Sequence, residues 1–430
     1  MRILLTTEAH VSIGAKGQIY IDGPANYSFW SSYLMAFDKV TVLARGAPAQ
    51  QAWSETARAD GPGVFFRLLP DYYGPLQLIS QRSKVRAITK RAILDSDAYL
   101  LRVPGLVGHI AWLEIEKLRR PYALEVLGDP WDSFSPGTWP SLCRPLARRL
   151  VTRELREMCN KAAAIHYVTH RALQRRFPPG ANTYTKAFSD AVMDRAFVNP
   201  DALMERYRRI REMQNTQSRP SRLFHIGFIG SLSRLYKGLD VLLGAISLIA
   251  DGRNSNLHVA IAGDGQYLEK MKRLAMQLRI QDRVRFLGQL PHGKPIFDFL
   301  DSIDLLVLPS RAEGLPRALL EAMARGCPCV ATEIGGVDEL LVPADMVPCG
   351  DAKSLAEAIV QLVRNPARLR EMADRNLKKA AQFSPQVLMD AHREFLSNVR
   401  FRASERIENQ LANSAGCHQE EQSLHLQTPR

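Results

Sequence analysis

Short apolar runs alternate with helical stretches along most of the chain. In the first half, such runs predict strands at residues 3–6, 40–44, 98–102, 123–127 and 164–168. Apolar runs of this length, separated by helical periodicity, are typical of parallel strands that are buried on both faces. The pattern therefore predicts a doubly wound α/β domain.

A second alternating block covers residues 223–383 and predicts a second α/β domain. Residues 207–222 are polar and contain Pro220, so we expect them to be the linker that follows a first domain of residues 1–206. A last helix is predicted over residues 384–401. The tail, residues 402–430, is polar and lacks periodicity, and we expect it to be disordered.

The composition is that of an ordinary globular protein, with 46% hydrophobic and 23% charged residues among 430. The N-terminal residues 1–7 resemble a first strand rather than a signal peptide, and no window approaches the ~20 apolar residues of a spanning helix. We therefore expect a cytoplasmic protein. Cys327 and Cys329 form a C-x-C without a second cluster, so free thiols are expected rather than a zinc site.

The net charge of +13 is concentrated in the first half of the chain. Basic residues are interleaved with apolar ones between residues 82 and 156, as in helices that lie on an anionic membrane surface. Solvated helix faces are the alternative interpretation. The first interpretation predicts a peripheral protein on the inner face of the membrane. No nucleic-acid partner is predicted, because no aromatic or recognition-helix signature accompanies the charge.

Residues 301–341 carry the most specific chemical signal. An apolar strand is predicted at residues 305–308, and a helix is predicted to begin at Pro316. Glu313 then lies in the strand-to-helix loop and Glu321 in the helix, with the free N–H groups of a helix N-terminus between them. A phosphate-binding turn between two carboxylates suits a phosphorylated, hydroxyl-rich ligand such as a nucleotide sugar.

Further turns at strand ends accompany the two glutamates. In chain order they are Phe228-Ile229-Gly230, Lys237-Gly238, Gly263-Asp264-Gly265, Phe286-Leu287-Gly288 and Gly335-Gly336-x-x-Glu339. Together with the Glu-x7-Glu pair, this ordered set resembles the donor-binding half of the family-four retaining glycosyltransferases (glycosyl transferases group 1). The resemblance implies the GT-B fold, in which two Rossmann-like doubly wound domains face a cleft and a C-terminal helix crosses back to the first domain.

The resemblance also implies roles for residues of the second domain. Lys237 would contact the diphosphate, Glu321 would accept hydrogen bonds from the ribose, and Glu313 would hold the transferred sugar or balance charge at its anomeric carbon. The other donor-binding residues that it implies are Gly230, Ser231, Arg234, Gly263, Gly288, Gly314 and Leu315. Ser231 stands where the family often has Arg, and Arg234 either substitutes for that Arg or lies on the loop surface.

The expected enzyme is a retaining, hexosyltransferase-type glycosyltransferase of cell-surface polysaccharide or glycolipid synthesis, with a nucleotide-sugar donor and a glycan or lipid-linked acceptor. The family's front-face mechanism, in which the departing phosphate takes the acceptor's proton, leaves positioning and electrostatics to the protein. No Asp-x-Asp motif stands at a strand end of the second half. We therefore expect neither a metal nor another cofactor.

The first half gives weaker signals for the acceptor. Asp129, where many family members have His, is predicted either to orient a hydroxyl or to cap a turn. His10 and the glycine-flanked loop of Gly14 and Lys16 follow the predicted first strand, where Lys16 can bind an acceptor phosphate. A loop residue without a binding role is an equally good interpretation of His10. For the aromatic cluster at residues 27–33, core packing is preferred over sugar stacking.

Two other functional classes remain open. A GT-B-shaped nucleotide-sugar epimerase or hydrolase would need a catalytic carboxylate or His in the first half, and the absent His disfavours it. A non-catalytic glycan-binding partner subunit is favoured weakly by Ser231 and opposed by the intact Lys237, Glu313 and Glu321. Donor turnover that depends on an added acceptor separates the transferase from both.

Overall fold

The computed structural model describes residues 1–21, 23, 25–49, 53–72, 74–133, 144–189, 200–215, 223–250, 256–291 and 293–425. Within these residues the chain forms two α/β domains, each built on its own sheet. The predicted pair of doubly wound domains is thereby confirmed.

The first domain contains a sheet of eight strands in its described part. These are β1 (Arg2–Ile13), β2 (Ile19–Ile21), β3 (Lys39–Pro48), β4 (Val64–Pro70), β5 (Ala98–Val103), β6 (Ala123–Val126), β7 (Ala164–Tyr167) and β8 (Tyr184–Ala187). Its helices are α1 (Tyr27–Ser31), α2 (Gly74–Leu94), α3 (Leu106–Lys117), α4 (Pro130–Ser133), α5 (Arg144–Lys161) and α6 (Ala172–Arg176). The strand order is β4-β3-β1-β5-β6-β7-β8, all parallel, and β2 pairs antiparallel with β1.

The predicted strands correspond to β1, β3, β5, β6 and β7, whereas β2, β4 and β8 were missed. β4 alternates buried and exposed residues, and β8, at the sheet edge, has no buried residue. Neither strand therefore produces the continuous apolar run that marks a strand covered on both faces.

The second domain contains six parallel strands in its described part, β9 (Phe224–Ile229), β10 (Leu257–Ala262), β11 (Val284–Gly288), β12 (Leu305–Leu308), β13 (Cys329–Thr332) and β14 (Met346–Val347). Its helices are α7 (Pro200–Asn215), α8 (Leu239–Ala250), α9 (Leu268–Gln277), α10 (Lys294–Ser302), α11 (Arg317–Ala324), α12 (Ala352–Val363) and α13 (Pro366–Ala380). The order β11-β10-β9-β12-β13-β14 reverses between β9 and β12. In such sheets ligands bind in the crevice at this point, beyond the carboxyl ends of the strands.

Helix α7 occupies much of the predicted linker. Residues 207–215 are helical, and residues 216–222 lie outside the described residues. Arg206, which is 1% exposed, donates from its guanidinium to the carbonyls of Ile303 and Leu300, both at 2.7 Å. The helix packs on the second domain through this arginine and through Ile210, which belongs to that domain's apolar core. Most residues of α7 are polar, so hydrophobic periodicity alone does not indicate it.

The last helix, α14 (Pro385–His425), is longer than predicted. It continues through most of the tail that was expected to be disordered, and residues 426–430 lie outside the described residues. The segment has no proline before Pro429 and is rich in Ala, Glu and Gln, which favour helix. The predicted crossing to the first domain is confirmed, since Tyr184 donates to Glu394 at 2.8 Å and Arg400 donates to the Ala36 carbonyl.

Candidate active site

The loops after β9 and β12 meet where the strand order of the second sheet reverses. Lys237 ends a short 3-10 helix after β9, and Glu313 lies in the loop between β12 and α11. Lys237 Nζ donates to Glu313 Oε1 at 2.7 Å, and Ser310 Oγ donates to the same oxygen at 2.7 Å. The side chains of Lys237 and Glu313 are 16% and 9% exposed. The structure thus brings together two of the predicted catalytic residues.

The ammonium group of Lys237 keeps its charge although it is buried. Burial lowers the pKa of Lys237. The Glu313 carboxylate and, after it, Tyr236 raise the pKa by more than burial lowers it, so the net pKa lies above its ordinary value. An ammonium group has three donors, so Lys237 can bind a phosphate oxygen without leaving Glu313. The pair therefore places a buried, charged ammonium group at the strand-order reversal.

Gly238 allows the Lys237 turn to pack directly against the end of β12. Its φ is +70°, and a Cβ at this position would lie 1.9 Å from the Pro309 carbonyl oxygen. Both the left-handed backbone and the close approach exclude a side chain. The Lys-Gly pair is thus a requirement of the turn that places Lys237.

Gly230, Gly263 and Gly288 form a row along the carboxyl ends of β9, β10 and β11. Gly230 donates to the Ala262 carbonyl at 3.0 Å, and Gly263 donates to the Gly288 carbonyl at 2.8 Å. A Cβ on Gly263 would lie 2.0 Å from the Gly230 carbonyl oxygen. The three predicted donor-binding glycines therefore line one edge of the crevice as closely packed backbone.

Glu321 lies in α11 and is 9% exposed. Among the described residues its carboxylate accepts no hydrogen bond; burial raises its pKa to about 7, and the positive charge of Arg317 opposes that rise. A buried carboxylate without donors has the capacity to accept from two hydroxyl groups of a ligand. Pro316 is the extended N-cap of α11 rather than its first residue, a shift of one position from the prediction.

The loop that carries Glu313 touches the first domain. A Cβ on Gly314 would lie 2.1 Å from the Leu127 carbonyl oxygen, so only glycine permits this approach. Leu315, the next residue, is buried in the apolar core. These two predicted donor-binding residues therefore also form part of the contact between the domains.

Ser231 and Arg234 lie between β9 and Lys237. Ser231 Oγ accepts the Ser233 N–H at 3.2 Å, which closes a local turn. Glu8 of the first domain has a pKa raised by burial, which Arg45 and, more weakly, Arg234 oppose. Arg234 is exposed, and whether it replaces the family Arg stays a prediction.

Residues 209–380 match the family model for glycosyl transferases group 1. The second domain is therefore a group 1 glycosyltransferase domain. It is similar to Protein CapJ of Staphylococcus aureus, with 27% identity over 332 residues that cover 75% of this chain and 78% of CapJ. A lipopolysaccharide core biosynthesis glycosyltransferase, LpsE of Rhizobium meliloti, is 30% identical over 166 residues, 38% of this chain and 46% of LpsE.

Solved structures share the fold of this glycosyltransferase along nearly its whole length. Sucrose-phosphate synthase from Thermosynechococcus elongatus has a TM-score of 0.63 at 16% identity, covering 96% of this chain and all (100%) of that one. Anabaena Alr3699/HepE in complex with UDP and glucose has a TM-score of 0.63 at 19% identity, and the match covers 92% of this chain and 99% of that one. The predicted GT-B fold is confirmed.

In the first domain, Asp129 makes structural contacts. It is 6% exposed, its Oδ1 accepts the Trp131 N–H at 2.7 Å, and its Oδ2 lies 2.7 Å from Arg176 Nε. These contacts fit the capping alternative for Asp129. A role in orienting a substrate hydroxyl stays a prediction.

The first loop of the first domain differs from the prediction. β1 extends to Ile13, so His10 lies within the strand, with Nδ1 2.5 Å from Asp71 Oδ1. Gly14 and the exposed Lys16 belong to the turn that joins β1 to β2. The strand was predicted too short because it shifts register against β3 after Thr6 and continues with half-buried residues. Acceptor binding by His10, Gly14 and Lys16 stays a prediction.

Sequence reasoning assigned no role to a buried polar cluster beneath α14. Glu125 accepts from Tyr33 Oη at 2.8 Å and pairs with Arg102 at 3.0 Å, and His166 and His392 lie beside it. Burial opposes ionisation of Glu125, but Arg102 and then His166 lower its pKa to about 2. The one sequence feature that could have indicated this cluster is a charged residue, Glu125, inside the apolar strand β6.

The aromatic cluster at residues 27–33 was predicted to pack in the core. Tyr33 is 1% exposed, in agreement with that prediction.

Cysteines 159, 327, 329 and 349 are free thiols. In the described parts of the chain, no group of three or more His, Cys, Asp and Glu side chains is arranged to hold a metal ion. None of the described helices combines the length and the apolar character needed to cross a bilayer.

Proposed function

We propose that this glycosyltransferase moves a hexose or related sugar from a nucleotide-diphosphate donor to a glycan or lipid-linked acceptor, with retention of anomeric configuration, in cell-surface polysaccharide or glycolipid synthesis. The contact between Lys237 and Glu313 carries the proposal. It places a charged ammonium and a carboxylate at the strand-order reversal, the place where α/β sheets bind nucleotides. Glu321, a buried carboxylate free to accept from a ribose diol, supports it.

The reaction needs stabilisation of the leaving group more than it needs a protein base. The bond between the anomeric carbon and the β-phosphate oxygen breaks, and its electron pair goes to the phosphate, where Lys237 stabilises the charge. The acceptor hydroxyl attacks the anomeric carbon from the same face and gives its proton to the departing phosphate. Glu313 holds the sugar or balances positive charge at that carbon, so the protein contributes mainly position and charge.

A UDP-sugar is the first donor to test. The structurally similar HepE was solved with UDP and with UDP-glucose. Base recognition would involve the loops after β10 and β11, next to the row formed by Gly230, Gly263 and Gly288.

Association with an anionic membrane completes the proposal. Leu146 and Leu150 of α5 are 62% and 49% exposed, and Arg149 and Arg153 of the same helix are also exposed. Apolar side chains beside cations suit the interface of an anionic bilayer, where a lipid-linked acceptor is located. The enzyme would then act at the cytoplasmic face.

Titration calorimetry with UDP-, GDP-, ADP- and dTDP-sugars tests the donor site. The wild type, Lys237→Ala and, as the control, Lys272→Ala are compared, because Lys272 is a surface residue that pairs with Glu269 of its own helix. We expect one donor to bind the wild type and the control but not Lys237→Ala. Equal donor binding by all three proteins would show that Lys237 does not contact the donor.

Turnover assays then separate the functional classes. Transfer that requires an added acceptor supports the transferase, and NMR of the product's anomeric proton decides between retention and inversion. Donor breakdown or epimerisation without acceptor would favour the second class. Binding without turnover for any acceptor would favour a non-catalytic subunit.

A further inference from the structure

Glu339 joins the two domains beside the candidate active site. It ends the short 3-10 helix Val337–Glu339 after β13, and it is 8% exposed. Its Oε2 accepts the N–H of His170 at 2.6 Å, and its Oε1 accepts the N–H groups of Arg171 and Ala172 at 2.8 and 2.9 Å. The three donors lie where the segment after β7 enters α6 in the first domain, Ala172 being the first residue of that helix. We call these three hydrogen bonds the Glu339 contact.

The Glu339 contact is coupled through backbone to the loop that carries Glu313. Gly336 donates to the Gly314 carbonyl at 2.8 Å, and a Cβ on Gly335 would lie 2.1 Å from the Glu313 carbonyl oxygen. The turn before Glu339 is therefore packed on the Glu313 loop without intervening side chains. While the Glu339 contact holds, movement of the first domain must also move this turn or separate it from the Glu313 loop.

The two domains are not continuously packed near the Glu339 contact. A cavity of about 540 Å³ lies beside it, lined by His170, Arg171 and Phe188 of the first domain, by Glu339 and Phe383, and by Leu388 of α14. Next to the cavity, Val168 of the first domain and Leu315 and Val337 of the second belong to one buried apolar cluster. Charge-assisted hydrogen bonds to backbone N–H groups are stronger than neutral ones, so the Glu339 contact adds a directional polar attachment to this apolar packing.

We propose that Glu339 is a positioning residue that holds the cleft closed and thereby fixes the Glu313 loop for sugar transfer. Opening of the cleft would leave three backbone N–H groups and one carboxylate without partners until water replaces them. Closure and the arrangement of Glu313 are then a single event, as in enzymes whose site is completed by domain movement. The kinetic part of this inference rests on the proposed transferase function.

The test compares Glu339→Ala and Glu339→Gln with the matched control Asp338→Asn. Asp338 is the neighbouring carboxylate, and its exposed side chain is 3.9 Å from that of Arg171. Amide hydrogen exchange of residues 168–174 reports the contact itself. In Glu339→Ala we expect this exchange to accelerate about tenfold or more, since a loss of roughly 1.4 kcal/mol is a factor of ten. Asp338→Asn should exchange like the wild type.

Steady-state kinetics test whether the Glu339 contact is coupled to the Glu313 loop. In Glu339→Ala we expect kcat to fall about 10- to 100-fold, the scale of a misplaced reacting group, while the KM for the donor and the Kd of UDP change less than about twofold. Glu339→Gln keeps one oxygen acceptor and should lose less kcat. If Glu339→Ala does not fold, Glu339→Gln provides the same comparisons. Its amide nitrogen is a donor in place of one carboxylate oxygen, so at least one backbone N–H of the Glu339 contact loses its acceptor.

Two results would overturn the inference. Unchanged exchange in the Glu339 variants would show that the contact does not hold the domains, and faster exchange with normal kcat would show that it is not coupled to transfer. If the wild type transfers no sugar, the proposed function fails together with the coupling. The exchange comparison then still decides whether Glu339 holds the domains.

Discussion

Lys237 Nζ lies 2.7 Å from Glu313 Oε1, and the two residues come from loops that follow strands on opposite sides of the strand-order reversal. The contact links residues 76 positions apart and places both near the glycine row that ends β9, β10 and β11. Because each side chain is mostly buried, the loss of either leaves the other with an unpaired charge. We therefore expect both catalysis and stability to depend on the pair.

Lys237→Met should reduce kcat/KM by about 10²–10³-fold, as expected when a group that stabilises leaving-group charge is removed. It should also destabilise the protein, since Glu313 stays buried without its cation. The double variant Lys237→Met/Glu313→Gln should recover stability but not activity. Urea unfolding and steady-state kinetics measure the two effects. A double variant less stable than the single one would contradict the ion-pair explanation.

Glu321 should make donor binding pH-dependent near neutrality. Its pKa is raised to about 7 by burial, and a ribose diol donates to the ionised form, so donor affinity should increase as the pH rises from 6 to 8. Glu321→Gln should bind more weakly, with a flatter pH profile. Calorimetry at three pH values, in buffers of different ionisation enthalpy, checks both expectations. The same pH profile in both proteins would assign the titration to another group.

The stability of the protein should also respond to Glu321. Because its pKa is raised above the ordinary value, the folded protein binds a proton more tightly than the unfolded chain does. The free energy of unfolding should therefore fall as the pH rises from about 4.5 to 7. Glu321→Gln lacks this group and should lose that part of the slope, while Glu333→Gln, at an exposed position, should keep it. Denaturant unfolding across this pH range makes the comparison.

Glu125 should have the opposite pH dependence. Its pKa of about 2 lies below the ordinary value, so its contribution is complete above about pH 4.5 and is lost as the pH falls toward 2. Glu125→Gln leaves Arg102 buried without a counter-ion and should cost about 3–5 kcal/mol at pH 7. The pair replacement Arg102→Met/Glu125→Leu should cost less. Equal losses for both variants would show that packing, rather than charge, dominates at this site.

Leu146→Ser/Leu150→Ser should weaken binding to vesicles that contain anionic lipid, because it removes the apolar side chains that α5 exposes beside Arg149 and Arg153. Leu248→Ser is the matched control, since Leu248 is 53% exposed on α8 of the second domain. Co-sedimentation at low and high salt separates the apolar from the electrostatic part. Equal binding by all three proteins would place any membrane contact elsewhere.

The second domain could be predicted well because its signals are local. A positive φ requires Gly238, the apolar residues 305–308 indicate a buried strand, and the loop that carries Glu313 follows that strand directly. The first domain could not be predicted to the same extent. There, β1 continues beyond its apolar residues, and Asp129 is engaged by Arg176, a contact that no local pattern indicates.

The amino-acid sequence by itself determined the two α/β domains, the order of the turns and the residue types at the donor site, since burial period and backbone conformation are properties of short segments. The tertiary structure decided which side chains meet. Sheet order brings Lys237 to Glu313, domain placement brings Glu339 to His170–Ala172, and α7 attaches to the second domain through the buried Arg206 together with Ile210. Such contacts depend on where distant segments are placed in space, and hydrophobic periodicity contains no information about that.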